Sequence, residues 1–171
     1  ALEAALSWSN ISFTYDGQEH VPTATVSNLV SGDACTVTVT GSASTVGEHT
    51  ATATALSNSN YKLPATATQS FTISAASMNG VSATGFSGTY DGAAHGITVT
   101  APEGATVKYG TSAGSYSLDA SPTYTNVGDN TVYYQVSMTG HNPESGSASV
   151  SITALEAALS WSNISFTYDG Q

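Results

Sequence analysis

The chain has 171 residues, of which only 8% are charged, and its two cations, Lys62 and Lys108, stand against 12 acidic side chains for a net charge of −10. Nucleic-acid backbones and anionic lipid surfaces are held by clustered Lys and Arg, so this balance excludes both as partners. The lone Cys35 excludes an intramolecular disulfide framework, and no apolar run approaches the roughly 18 residues of a membrane-spanning helix, so no membrane insertion is expected.

In chain order, residues 1–6 have good helix propensity but are too few to repay helix nucleation, and they read as a connector. A first strand is expected around 6–10 with Trp8 inward. Ile11, Phe13 and Tyr15 then alternate with Ser12 and Thr14, a period of two that puts the apolar set on one face of a second strand. That strand runs into Thr14-Tyr15-Asp16-Gly17, where Gly supplies the positive φ of an Asp-Gly turn. Further strands are expected at 23–27, at 35–40 with Cys35 as a small core residue, and at 50–56 with Ala51, Ala53 and Ala55 inward. Residues 58–64 read as a loop, and 69–74 as the closing strand with Phe71 and Ile73 inward.

The turn marker returns as Tyr90-Asp91-Gly92 and Tyr168-Asp169-Gly170, at near-equal spacing from Tyr15-Asp16-Gly17. A repeated turn marks a repeated domain, and repeats set the architecture. After a short connector at 74–77, strands are expected at 81–83, 86–90, 97–100, 106–109, 131–138 and 147–152. Val132, Tyr134, Val136 and Met138 form the inner set of the long strand and leave Tyr133 outside, because consecutive side chains point to opposite faces. Residues 154–171 repeat residues 1–18 without a mismatch. The sequence therefore predicts a first β repeat domain at 1–75, a second at 76–153, and the first strands of a third at 154–171. Connectors this short predict units stacked end to end with restricted hinge motion.

No helical period stands out, and turn signals recur as in a sandwich of short antiparallel strands. The expected fold is all-β, two tandem immunoglobulin-like β-sandwich domains. The alternative is a β-grasp-like domain with one short crossing helix each, at 28–34 or 111–118.

Phe13-Thr14-Tyr15-Asp16-Gly17 with His20, Thr36-Val37-Thr38-Val39-Thr40-Gly41, Asn60-Tyr61-Lys62-Leu63-Pro64 and Gln69-Ser70-Phe71-Thr72-Ile73 resemble the YDG and MBG type repeats of large bacterial surface proteins. Gly88-Thr89-Tyr90-Asp91-Gly92-Ala93-Ala94-His95 and Tyr133-Tyr134-Gln135-Val136 resemble a second flavour of the same group. The resemblance covers essentially the whole chain. It implies an extracellular, cell-surface or wall-associated adhesin-like protein in which such repeats form a stalk, and it brings no catalytic site. Two lysines leave almost no site for a trypsin-like protease, which suits life outside the cell.

His20 and His95 follow the marker tyrosine at the same spacing, yet no cluster of ligand spacing accompanies either, so the expected role is an imidazole bonding a turn carbonyl rather than a metal site. Asp16, Asp91 and Asp169 lack the alternating acidic loop of a calcium site and read as turn caps. No catalytic constellation or cofactor motif is expected. Self-locking by a Lys-Asn isopeptide or a Thr-Gln ester is the one covalent idea to consider: neither lysine lies on a first strand, whereas Thr14 lies on an early strand and Gln69 on the last, with Glu19 and His20 nearby in sequence. Tyr133 with Tyr109, Tyr116 and Tyr124 could offer an aromatic platform, so the competing function is a repeat that itself binds host glycan or protein. Trp161, Ile164 and Phe166 of the third fragment need a partner, which neighbouring repeats or strand exchange would supply.

Overall fold

The structure, a computed structural model, describes residues 1–162, 165 and 167–170. It is all-β. The chain divides into two compact units: unit 1 comprises Ala1–Val81, Pro102–Thr106 and Val136–Glu144, and unit 2 comprises Ser82–Ala101, Val107–Gln135 and Ser145–Gln171.

The first half of the chain forms β1 (Leu2–Glu3), β2 (Leu6–Ser9), β3 (Ser12–Thr14), β4 (Thr23–Val26), β5 (Val37–Thr40), β6 (Gly47–Leu56), β7 (Tyr61–Lys62) and β8 (Thr68–Ser74). The alternation of apolar residues with Ser and Thr is what makes these strands, since β-branched and small side chains fit a half-buried pleat. In unit 1 a four-stranded sheet has the order β3-β8-β6-β5, with β3 parallel to β8 and the other pairs antiparallel. A two-stranded sheet pairs β2 with β4, and β1 pairs in parallel with β7. Trp8 of β2 packs on Ala51 of β6 and on Phe71 and Ile73 of β8, so the β2-β4 sheet covers the inner face of the larger one. A second cluster gathers Ala4, Val26 and Tyr61, with Cys35, a free thiol, half-buried beside them.

The remaining strands are β9 (Ser82–Thr84), β10 (Phe86–Thr89), β11 (Thr98–Thr100), β12 (Thr106–Gly110), β13 (Gly128–Ser137) and β14 (Glu144–Thr153). Their large sheet has the order β10-β14-β13-β12, with β10 parallel to β14, and β9 pairs antiparallel with β11. This is the strand plan of unit 1. Val132, Tyr134, Val136, Val150 and Ile152 are buried, while Tyr133 and Met138 are half-buried.

Several expectations need correction. Ile11 is exposed, because it falls in the link between left-handed Asn10 (φ 57°) and the start of β3 at Ser12, outside the paired strand. Ala55 is exposed rather than inward. On β5 and β6, Thr38 faces Ala55 and Val39 faces Ala53, so Thr54 is an extra residue on β6, and this β-bulge flips the phase so that Leu56 turns in. The connector at 1–6 contains β1, and the loop at 58–64 contains β7; each two-residue strand gains its ladder only from the other. Segments 28–34 and 111–118, the candidate crossing helices, are turns and bridges. Within the third fragment, Ile164 and Phe166 lie outside the described residues.

Candidate functional site: the Asp-Gly turn clamps and the tyrosines

The marker turn is built the same way twice. β3 ends at Thr14, and the Tyr15 amide donates to the Ser74 carbonyl (2.8 Å), which anchors the strand end to β8. Gly17 takes φ 78°, a left-handed conformation that costs a residue with a Cβ. Asp16 Oδ1 accepts from the Gln18 amide (2.8 Å), closing an Asx turn, and from His20 Nε2 (2.8 Å). An ionised carboxylate only accepts, so Nε2 carries the proton. The His20 ring stacks on Phe13, with centroids 4.4 Å apart and planes at 22°, and Phe13 meets Phe71 edge-on. The His20 backbone exchanges both hydrogen bonds with Ala43.

In unit 2 the Tyr90 amide donates to the Thr153 carbonyl (2.8 Å), and Gly92 again has φ 78°. Asp91 Oδ1 accepts from the Ala93 amide (2.8 Å) and from His95 Nε2 (3.0 Å). The His95 ring stacks on Phe86 at 3.5 Å and 9°, and its backbone exchanges both bonds with Tyr124. In the third copy Gly170 repeats the turn with φ 82°, and Tyr168 is exposed. Each histidine thus binds the turn carboxylate, not the turn carbonyl expected from sequence, because the Asx turn already aims that carboxylate at the imidazole four residues on. The donors hold both carboxyls below their ordinary value of 3.8: for Asp16 the Gln18 amide contributes most and His20 next, and for Asp91 His95 leads, followed by the Ala93 amide.

What this arrangement does chemically is to lock a turn. The carboxylate, the imidazole and one aromatic face are all engaged with each other. Among the described residues, no group of three or more His, Cys, Asp or Glu side chains is placed to hold a metal ion.

The four candidate binding tyrosines are all half-buried and sit on separate elements. Tyr109 is on β12 and exchanges backbone bonds with Leu118, Tyr116 lies in the turn between them, Tyr124 bridges to His95, and Tyr133 is on β13. Among the described residues none of the four rings stacks on another. Tyr124 borders a surface cleft of about 400 Å3 formed by residues 123–130.

The ester pairing does not survive the register. Thr14 lies opposite Ser74, whereas Gln69 lies opposite Ala51. At about 3.3 Å per residue Gln69 is roughly 16 Å along β8 from the residue facing Thr14. The lysines form exposed ion pairs instead, Lys62 with Glu3 (3.4 Å) and Lys108 with Asp119.

Tyr61 is a structural residue that sequence reasoning passed over as loop. Its ring is buried, its hydroxyl accepts from the Val30 amide (2.8 Å) and donates to Asp33 Oδ2 (2.9 Å), and so it ties the 30–33 turn to β7. The Val30 bond favours the phenolate, but desolvation and the Asp33 carboxylate outweigh it and raise the phenol above its ordinary 10.0. The only sequence signal was an aromatic residue inside an otherwise polar loop.

No family model, curated protein or solved structure matches the chain.

Proposed function

We propose that the chain is a structural tandem repeat of a large bacterial cell-surface or secreted adhesin. In this reading two immunoglobulin-like β-sandwich domains of the YDG/MBG repeat type form a stalk that projects a binding region outside the cell. The observation that carries it is the parallel pairing of an early strand with the last one, made twice, β3 with β8 and β10 with β14. Tension through the ends of such a unit draws the two neighbours in opposite directions along their length. Their evenly spaced bonds then bear the load together rather than in succession. The clamp at the end of each early strand fits the same role, since Asp16–His20–Phe13 and Asp91–His95–Phe86 fix the turn at which the strand would peel. The exact recurrence of residues 1–18 at 154–171 fits an array.

Stretching the intact chain between its termini tests this. Two discrete, high-force rupture events are expected, and smooth extension at low force overturns the reading. The second reading, a repeat that binds host glycan or protein through Tyr133, Tyr109, Tyr116 and Tyr124, is favoured by the cleft beside Tyr124. A glycan array separates the two. Silence supports the stalk, and specific binding that disappears in Tyr133→Ala supports the module.

A further inference from the structure

Unit 1 holds its first nine residues by two pairings. β1 runs parallel to β7, with the Leu2 amide donating to the Asn60 carbonyl (2.7 Å) and the Ala4 amide to the Lys62 carbonyl (2.9 Å). β2 runs antiparallel to β4, with Leu6 opposite Val26 and Trp8 opposite Ala24. Ala4 is buried with Val26 and Tyr61, Leu6 packs on that cluster, and Trp8 packs on Ala51, Phe71 and Ile73. Residues 154–162 are the same nine amino acids in the same order. There they form no strand, and Leu155, Leu159 and Trp161 are 66%, 75% and 79% exposed. One sequence thus stands in two environments, and the first shows which surface complements it.

A second observation marks the same surface. The Tyr15 ring lies against Gly140, where a Cβ would come within 2.2 Å of it, and meets His141 edge-on at 5.7 Å. Tyr90 has the same backbone frame, but as a residue it is 40% exposed. Two residues beyond Ser74, the partner of the Tyr15 amide, Ala76 donates to the Gly140 carbonyl (2.9 Å). Two residues beyond Thr153, the partner of the Tyr90 amide, stands Leu155, the copy of Leu2, and Leu2 donates to the Asn60 carbonyl. The loop at Asn60 therefore corresponds to the loop at Gly140, and the ring it would receive is that of Tyr90.

We propose that residues 154–162 and Tyr90 form a docking surface for unit 1 of a second copy of this chain, which takes 154–162 as its first two strands once its own residues 1–9 are displaced. The partner edges are β4 and β7, and the Asn60 loop covers the Tyr90 ring. In the intact chain each acceptor is filled by its own tethered segment, whose effective concentration is on the order of millimolar, so exchange in trans stays silent until that segment is weakened.

The test weakens the tethered segment and leaves its copy intact. Sedimentation velocity of a Leu6→Asp/Trp8→Asp chain should show concentration-dependent head-to-tail assembly that the intact chain lacks. Adding Leu159→Asp/Trp161→Asp should return it to monomer, and adding Tyr90→Ala instead should weaken assembly roughly 3- to 10-fold, as expected for one aromatic contact. If unit 1 of the first variant unfolds, mixing with excess intact chain, whose 154–162 is exposed, should restore amide protection in β4 and β7. A variant that neither assembles nor regains protection overturns the proposal, as does assembly that persists after substitution of Leu159 and Trp161.

Discussion

Unit 1 and unit 2 place bulk at opposite strand positions of the same plan. β6 and β13 each run ten residues from a positive-φ glycine, Gly47 or Gly128, so that Ala51 and Ala53 of one occupy the positions of Val132 and Tyr134 in the other. On the small sheets the order reverses. Trp8, opposite Ala24, has its counterpart in Ala83, opposite Val99. Large side chains on the small sheet go with small ones on the large sheet in unit 1, and the converse holds in unit 2. A core is specified by the volume that fills it at native density, and either sheet can supply that volume.

The clamps repeat the lesson at one ring. Counted back from the marker tyrosine, Phe13 stands where unit 2 has Gly88, and Phe86 stands where unit 1 has Ile11. In unit 2 both positions lie on one face of β10, two residues apart. Phe86 reaches its histidine because Gly88 leaves room, and a Cβ there would come within 2.7 Å of the Phe86 ring. The aromatic partner is preserved although its position in the sequence is not.

The largest effect should separate the two closing strands. Phe71→Ala removes a fully buried ring and should cost about 3–5 kcal/mol, against a smaller loss for Val150→Ala at the matching position of β14. A unit this small has little stability to spare, so segment-resolved hydrogen exchange should show unit 1 opening in the first variant and unit 2 remaining protected. Next, Ala53→Tyr imports the bulk of unit 2 into β6 and should cost about 1–3 kcal/mol by overpacking. If volume is what matters, Trp8→Ala combined with it should cost less than the sum of the single changes, as read by denaturant unfolding in a double-mutant cycle. Third, Gly88→Ala should displace Phe86 from His95 at a cost of about 1–2 kcal/mol, whereas Phe86→Ile/Gly88→Phe, which writes the pattern of unit 1 into unit 2, should restore the stack. Aromatic ring-current shifts at His95 would report both.

The smallest effect is in acid. Asp16 and Asp91 have folded values below the ordinary 3.8. A depressed carboxyl contributes stability that is fully present above the unfolded value and is lost as pH falls through the folded one. Both turns should therefore hold at neutral pH and loosen below about pH 4. Asp16→Asn should flatten the acid limb for unit 1 alone, measured by turn-amide exchange between pH 5 and pH 2.5. Equal acid response in the variant and the parent would remove the clamp from the account of stability.

Much of this fold was legible because alternation with period two survives wherever one face of a strand is buried, so β2 through β6, β8 and the six strands of the second half all appear near their expected places. β1 and β7 were not legible, because two residues hold no period and their ladder exists only when distant segments meet. Ile11 and Ala55 were misplaced for a related reason. Ile11 falls in the link after left-handed Asn10, before β3 begins, an extra Thr54 resets the phase of β6, and local composition records neither. At the clamps, the spacing of Asp and His was visible, whereas the ring beneath each imidazole was not, since Phe86 and Phe13 occupy different positions.

By itself, the sequence determined the strand-forming character of this protein, its repeated Asp-Gly turns and its lack of cationic surface, because each depends on local residue chemistry or on a simple count. Only the tertiary structure decided that an early strand lies parallel to the last, that Gln69 is out of reach of Thr14, that Tyr61 is buried, and that residues 1–9 form paired strands while the identical 154–162 form none. Those outcomes depend on which segments meet across long loops, and there backbone pairing and shared core volume, rather than local preference, set the free energy.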